Sequence, residues 1–147
     1  LFINAYQYSH QSAERWQDGC LTQIYSNTLD DGEKLAVRGQ LENTRFVVQG
    51  PRGQAALPSC VMTFAYWDPR ILNQTHLLNA QTGEYQAVRT RFVGEETIAV
   101  RGTSQPARRY ELTAQGYRIE LWYGADKRWL ALTTTVGEDR LLRYQIQ

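Results

Sequence analysis

The residues that could carry acid–base or nucleophilic chemistry are His10, His76 and Asp68, the one acid in an apolar neighbourhood. A nucleophilic triad needs a serine, cysteine or threonine beside a histidine, and neither histidine lies in a Gly-x-Ser-x-Gly or similar turn. A lone histidine close to an aromatic cluster, such as His76, is more often a hydrogen-bonded residue at a pocket rim. We therefore predict no catalytic residue, and a hydrolase-like enzyme using Asp68 and His76 remains the third hypothesis.

The two cysteines, Cys20 and Cys60, lie far apart in the sequence. The two cysteines by themselves cannot make a structural zinc site and the two histidines add little, so no metal site is predicted. In an oxidising compartment Cys20 and Cys60 would form a disulfide, whereas two buried free thiols are the alternative. The sequence leaves both possibilities open.

The sequence carries no motif typical of a bound cofactor and no charge pattern typical of a nucleic-acid or membrane partner. Glycine-rich phosphate loops and His-Glu-x-x-His motifs do not occur in the sequence, so we expect no cofactor. The formal net charge of +1 offers no electrostatic basis for binding nucleic acid. Apolar runs fall short of the roughly 20 residues that a membrane helix requires, so the chain is not expected to be transmembrane.

A stretch rich in aromatic residues, 61–67, stands at the centre of the chain. Its alternation predicts a strand with two apolar faces, which are Val61, Thr63, Ala65 and Trp67 on one side and Met62, Phe64 and Tyr66 on the other. Asp68-Pro69 then ends the strand, because aspartate is a good N-cap and proline fits the first helical position. A short helical plug is predicted over residues 69–74.

This plug and the aromatic residues before it predict a binding site. We expect an aromatic-lined pocket mouth in which the helical segment acts as a lid. The predicted ligand-binding residues are Tyr66, Trp67, Ile71, Leu72 and His76. A core strand followed by a capping turn, with no pocket, is the alternative interpretation of the same residues.

The rest of the chain predicts an all-β domain over residues 1–147. Turn residues recur every 8–12 positions, as in antiparallel meanders, and so many strands should curl into a barrel or half-barrel. An irregular loop is expected at Gly50-Pro-Arg-Gly53. The later candidate strands are Tyr85–Phe92, Glu96–Gly102, Ala107–Thr113, Tyr117–Tyr123, Trp129–Val136 and Arg140–Ile146, with Val93-Gly-Glu as the turn between the first two. Because the chain begins at Leu1 as if inside a strand, we expect further strands upstream in the full-length protein.

Several blocks of the sequence carry a family resemblance: Phe64-Ala-Tyr-Trp-Asp-Pro69, Leu77-Leu-Asn-Ala-Gln-Thr-Gly-Glu-Tyr85 and Tyr6-x-Tyr-x-His10. The chain resembles a family of uncharacterised, mostly proteobacterial proteins that share a domain of unknown function. That resemblance implies an exported periplasmic or envelope protein with an antiparallel half-barrel. More loosely, the implied shape is similar to the lipid- and lipoprotein-carrying clamps of the Lol type. The family implies no catalytic residues.

Three functions are therefore weighed. The first is a non-enzymatic envelope protein that binds a hydrophobic small molecule, such as a lipid or acyl chain, in a concave sheet. The second is a structural or protein-interaction module without a ligand, and the third is the enzyme already described. A carrier should have an apolar cavity between sheet and plug, whereas an interaction module should have an exposed apolar patch. Ligand identity and oligomeric state do not follow from the sequence.

Overall fold

The computed structural model describes residues 7–136 and 140–145. In this part of the chain, strands follow one another with short connections and one 3-10 turn, Pro69–Asn73. The strands are β1 (Tyr8–Gln17), β2 (Cys20–Asp30), β3 (Glu33–Glu42), β4 (Arg45–Gly50), β5 (Gly53–Leu57), β6 (His76–Leu78), β7 (Tyr85–Val100), β8 (Thr103–Ala114), β9 (Tyr117–Tyr123), β10 (Trp129–Val136) and β11 (Arg140–Gln145). The expectation that the chain begins inside a strand concerns residues 1–6, which lie outside the described residues.

The strands form two antiparallel meanders. The first sheet has the order β1-β2-β3-β4-β5, and the second has the order β11-β10-β9-β8-β7-β6. The predicted all-β class and antiparallel meander are confirmed, and one sheet is curled into a half-barrel as predicted. The chain divides into two compact units, of which unit 1 is Leu1–Phe64 with Leu77–Tyr85 and unit 2 is Ala65–His76 with Gln86–Gln147. That residues 1–147 form a single domain stays a prediction.

Unit 1 is built from tight hairpins around its own core. The β1–β2 turn, Asp18-Gly19, and the β2–β3 turn, Asp31-Gly32, have positive φ at both residues, as the twist of a two-residue hairpin requires. One face of the sheet is therefore held in register for burial. Its core contains Leu21, Ile24, Val37, Phe46, Val48, Leu57, Val61 and Leu78.

The Leu77–Tyr85 block closes against β4 of the same unit. A Cβ added to Gly50 would lie 2.5 Å from the carbonyl oxygen of Thr82, so only glycine permits this approach. The Asn79 side chain accepts hydrogen bonds from the backbone N–H groups of Gln81 and Thr82, at 2.9 and 3.2 Å. This conspicuous sequence block thus has a structural role in a turn.

Two predictions are wrong, one for residues 50–53 of unit 1 and one for residues 61–67, where the first segment of unit 1 ends. Residues 50–53 are a regular hairpin in which Gly50 pairs with Gly53, because Pro51-Arg52 is just long enough for a two-residue turn. Residues 61–67 do not form a strand; they make one isolated parallel bridge, Thr63 to Leu78. The apolar pattern there reflects burial of Val61, Met62 and Ala65 in an irregular connection that ends with the exposed rings of Tyr66 and Trp67. Periodicity alone does not separate such a segment from a strand.

Unit 2 contains the longest strand, β7. The predicted turn at Val93-Gly-Glu is wrong, because β7 continues through it to Val100. A register shift between Phe92 and Gly94 marks a β-bulge, and Gly94 adopts a φ of +154°. Glycine allows this backbone without ending the strand pairing. β7 therefore spans the whole of its hairpin partner β8.

Candidate functional site

The site is organised by the 3-10 turn of unit 2. Asp68 caps the turn by accepting a hydrogen bond from the backbone N–H of Arg70 at 3.0 Å, and Pro69 occupies the first position. The Arg70 guanidinium also binds the Asp68 carboxylate, with Nη2 to Oδ2 at 2.6 Å. Ile71 is buried and anchors the turn. The turn is thus fixed at its first residues and by one apolar side chain.

A groove of about 680 Å³ lies between this turn and the sheet of unit 2. The turn contributes Pro69, Arg70, Leu72 and Asn73, and the sheet and its β9–β10 loop contribute Thr90, Phe92, Arg108, Tyr110, Tyr123, Gly124, Ala125 and Lys127. This volume falls within the range of roughly 300–1,000 Å³ that is usual for small-molecule sites. The groove can therefore hold a compact ligand.

Three aromatic rings form the sheet side of the groove. Strand register places Phe92 opposite Tyr110, and their ring centroids are 5.3 Å apart. Tyr110 also lies edge-on to Tyr123 at 6.1 Å. The Tyr123 hydroxyl donates to the Tyr66 carbonyl oxygen at 2.6 Å, and burial, with the nearby Asp68 charge second, raises the pKa of Tyr123. Tyr123 thus stays neutral and presents its ring as an apolar wall.

Cationic side chains border these rings. The guanidinium of Arg108 lies 4.4 Å from the centre of the Phe92 ring and donates to the Tyr110 hydroxyl at 3.2 Å. It also forms an ion pair with Glu95 at 2.9 Å. The hydrogen bond and the electrostatic interaction with Tyr110, with a smaller contribution from the Glu95 charge, raise the pKa of Arg108, so it remains cationic. Lys127 lies in the tight β9–β10 loop, where its N–H donates to the Gly124 carbonyl at 3.0 Å.

The five predicted ligand-binding residues are distributed as follows. Leu72 lines the groove, whereas Ile71 is buried at 2% exposure. Trp67 is 53% exposed and meets Tyr66 edge-on at 5.2 Å. His76 accepts or donates a hydrogen bond with Thr75 at 3.0 Å. Of the five, Leu72 alone is among the wall residues of the groove.

Sequence reasoning missed the sheet side of the groove. Alternation predicts which residues share a face of the sheet but not which strands are neighbours. Four wall residues were therefore assigned only to strands: Thr90, Phe92, Arg108 and Tyr110. The signal that was missed is the aromatic residue in each of the two strands, Phe92 in β7 and Tyr110 in β8. These residues lie opposite each other because the bulge at Gly94 sets the register. Without that bulge the two aromatic residues would not be opposite one another.

The enzyme hypothesis receives no support from the geometry at Asp68. Both carboxylate oxygens accept hydrogen bonds from the Arg70 side chain. The hydrogen bond from Arg70 lowers the pKa of Asp68 below its ordinary range, against a smaller opposing effect of burial. A general acid at neutral pH needs a raised pKa. The other histidine, His10, lies 2.7 Å from the Thr28 hydroxyl in unit 1.

Unit 1 carries the disulfide rather than the groove. Cys20, at the start of β2, is bonded to Cys60, and their Cα atoms are 4.8 Å apart. Cys60 is exposed, so a reductant in solution can reach the bond.

Two features are absent from residues 7–136 and 140–145. No group of three or more histidine, cysteine, aspartate or glutamate side chains is placed to hold a metal ion there. Within the same ranges, none of the helical segments has the length and hydropathy needed to cross a lipid bilayer.

Comparison with known proteins gives one match. The family model of a domain of unknown function, DUF6134, matches residues 1–147. The chain belongs to the DUF6134 family. The resemblance inferred from the sequence blocks is thereby confirmed, while the looser likeness to Lol-type carriers is not confirmed. No curated protein and no solved structure matches this DUF6134 chain significantly.

Proposed function

We propose that the chain is a non-enzymatic binding protein of the bacterial cell envelope. Its groove in unit 2 takes the apolar part of a small hydrophobic ligand, such as an acyl chain. The single observation that supports this most is the groove of about 680 Å³ walled by Leu72 and by the rings of Phe92, Tyr110 and Tyr123. A buried acyl chain gains about 0.8 kcal/mol for each methylene removed from water.

We propose that the protein is exported from the cytosol, because it contains a disulfide bond. A bond between Cys20 and the exposed Cys60 persists where the surroundings are oxidising, whereas cytosolic reductants would open it. The periplasm or the cell envelope is therefore the proposed location, in agreement with what the family resemblance implies.

The proposal is tested on gently purified full-length protein by mass spectrometry of its organic extract. We expect a stoichiometric apolar or amphipathic compound from the wild type. Leu72→Gln, which makes one groove wall polar, should lose most of it. Ala87→Gln, a change to the same polar residue at an exposed β7 position outside the groove walls, should retain it. Melting curves of both variants show whether the fold is intact. A clean wild-type extract, repeated after incubation with envelope lipids, would refute the carrier proposal.

A protein-interaction module is the second candidate, favoured by one observation. Tyr66 and Trp67 form an exposed aromatic pair, at 36% and 53% exposure. Exposed large aromatics are enriched at protein interfaces. Trp67→Ala should abolish capture of a protein partner but leave ligand loading unchanged, so the same extract experiment separates the two functions.

A further inference from the structure

Strand register divides the sheet side of the groove into three rows of side chains on one face. From one end to the other, the rows are Glu95 with Arg108 and Tyr123, Phe92 with Tyr110 and Leu121, and Thr90 with Leu112 and Ile119. A strand rises about 3.3 Å per residue, so the first and third rows lie about 13 Å apart along β8. Charge is confined to the first row. The sheet side of the groove is therefore charged at one end and uncharged along the rest.

Arg108 is the charged residue that the sheet contributes to the groove walls, and its guanidinium is held in place there. Its Nε donates to the Tyr110 hydroxyl at 3.2 Å, and its Nη1 donates to Glu95 at 2.9 Å. The same guanidinium lies 4.4 Å from the centre of the Phe92 ring. Its Nη2 has no hydrogen-bond partner among residues 7–136 and 140–145. Arg108 is thus oriented by two ring residues and still has a donor to offer.

Glu95 is a partner that a ligand can replace. Its side chain is 74% exposed, and it is not among the wall residues of the groove. An ion pair this exposed contributes little to stability, because water solvates both ions when they separate. An anion inside the groove is less exposed to water than Glu95 and therefore pairs more strongly with Arg108.

The other two cationic wall residues are less suited to this role. Arg70 is bound through Nε and Nη2 to the Asp68 carboxylate, which is only 16% exposed and also caps the 3-10 turn. Withdrawing Arg70 would leave that carboxylate shielded from water without its partner. Lys127 lies in the loop that begins directly after Tyr123, so it adds positive charge at the same end of the groove as Arg108.

We propose that the ligand is an amphiphile with an anionic oxygen head group, and that this head group binds Arg108 in place of Glu95. The inference rests on the proposed function and adds the head-group site and the orientation of the ligand. The alkyl chain runs from Arg108 past Phe92 and Tyr110 towards Thr90. Carboxylate and phosphate share the chemistry that a guanidinium recognises, which is two or more acceptor oxygens on an anion.

The test is calorimetric titration of the full-length protein with four dodecyl probes that share one chain. These are dodecanoate, dodecyl phosphate, dodecanol and dodecyltrimethylammonium, each below its micelle concentration. We expect both anions to bind about tenfold or more tightly than dodecanol, since a hydrogen bond to a charged group contributes at this level. That advantage should shrink as salt rises, and the cationic probe should bind most weakly. The tighter of the two anions identifies the head group as carboxylate or phosphate.

Glu95→Gln is the sharpest variant, because the expected change is a gain of affinity that a misfolded protein would not show. Removal of the competing carboxylate should tighten dodecanoate binding about two- to fivefold, the range that an exposed ion pair covers, and leave dodecanol binding unchanged. Glu96→Gln is the matched control. Glu96 is the next residue on β7 and forms an ion pair with Arg109 on the other face of the sheet, so this variant should bind both probes like the wild type.

Arg108→Gln removes the head-group site itself. It should reduce dodecanoate affinity about tenfold or more and abolish the preference over dodecanol, while dodecanol still binds. Arg91→Gln is its control, because Arg91 pairs with Glu111 and is not a wall residue of the groove. That control should retain the preference for dodecanoate.

The outcomes separate this inference from the proposed function. If no probe binds, the proposed binding function fails, and the head-group site fails with it. If dodecanol binds as tightly as the anions, or if Arg108→Gln keeps the preference for dodecanoate, the groove takes alkyl chains but the head-group site is overturned. Unchanged or weaker binding of dodecanoate by Glu95→Gln would overturn the replacement of Glu95 by the ligand.

Discussion

At the scale of single residues, Asp68 shows how an acid in an apolar setting is used for structure. Its carboxylate accepts a hydrogen bond from the backbone N–H of Arg70 and forms an ion pair with the Arg70 guanidinium. The sequence predicted the capping role correctly, because Asp-Pro at a helix start has a local physical basis. The ion pair to Arg70 was not predicted, since side-chain pairing two positions apart depends on the turn geometry.

Replacement of Asp68 should weaken the turn in a pH-dependent way. Asp68→Ala should lower the free energy of unfolding by about 1 kcal/mol at neutral pH, as loss of an N-cap does. Because the folded pKa lies below the ordinary value of 3.8, the native state favours the ionised form. This contribution is present above pH 3.8 and is lost as the pH falls through the lowered folded pKa.

Denaturant unfolding across acidic pH measures this effect. The gap between wild type and Asp68→Ala should narrow as the solution is acidified. Asp68→Asn, which retains the cap but not the charge, should be the milder change at neutral pH. A gap of constant size down to strongly acidic pH would contradict the account.

At the scale of elements, the limits of sequence reasoning are clearest in β7 and in residues 61–67. Short-range turn chemistry accounts for the Asp-Gly hairpins of unit 1, because positive φ favours those residues. The same logic failed at Gly94, where glycine supports a bulge inside a continuous strand. It also failed at residues 61–67, where Val61, Met62 and Ala65 are buried without forming a strand and Tyr66 and Trp67 are exposed. Predicting the groove required the pairing of β7 with β8, which no local pattern contains.

The 3-10 turn should depend on Ile71 far more than on Trp67. Ile71→Ala removes a side chain at 2% exposure and should lower the free energy of unfolding by about 2–5 kcal/mol. Trp67→Ala removes an exposed ring with one aromatic contact, at 53% exposure, and should cost about 0.5–1.5 kcal/mol. Chemical denaturation of both variants measures the two losses in the free energy of unfolding. A larger loss for Trp67→Ala would place that ring in the core and contradict the structure.

At the scale of the whole molecule, the disulfide and the groove belong to different compact units. Unit 1 is closed by Cys20–Cys60, and unit 2 carries the turn and the groove walls. The sequence left the bond and the free thiols as alternatives because spacing carries no information on distance. The fold class, by contrast, followed from the recurrence of turns along the entire chain.

Reduction of the disulfide should destabilise the protein. A cross-link that closes a loop of this length restricts the unfolded chain, so its loss should cost about 2–4 kcal/mol. Thermal melting with and without a reductant measures the effect, and the Cys20→Ala/Cys60→Ala variant is the control that should no longer respond to the reductant. Two reactive thiols in unreduced protein, together with identical melting curves, would contradict the bond.

The measurement that tests the central claim most directly is a residue-resolved NMR titration of the full-length protein with dodecanoate. The account predicts saturable shifts of groove resonances, led by Leu72, Phe92 and Tyr110, while resonances of the unit 1 core such as Val37 and Phe46 stay in place. Saturable shifts that map outside the groove, or no shifts at any ligand concentration below the micelle threshold, would contradict a ligand site between the 3-10 turn and the sheet.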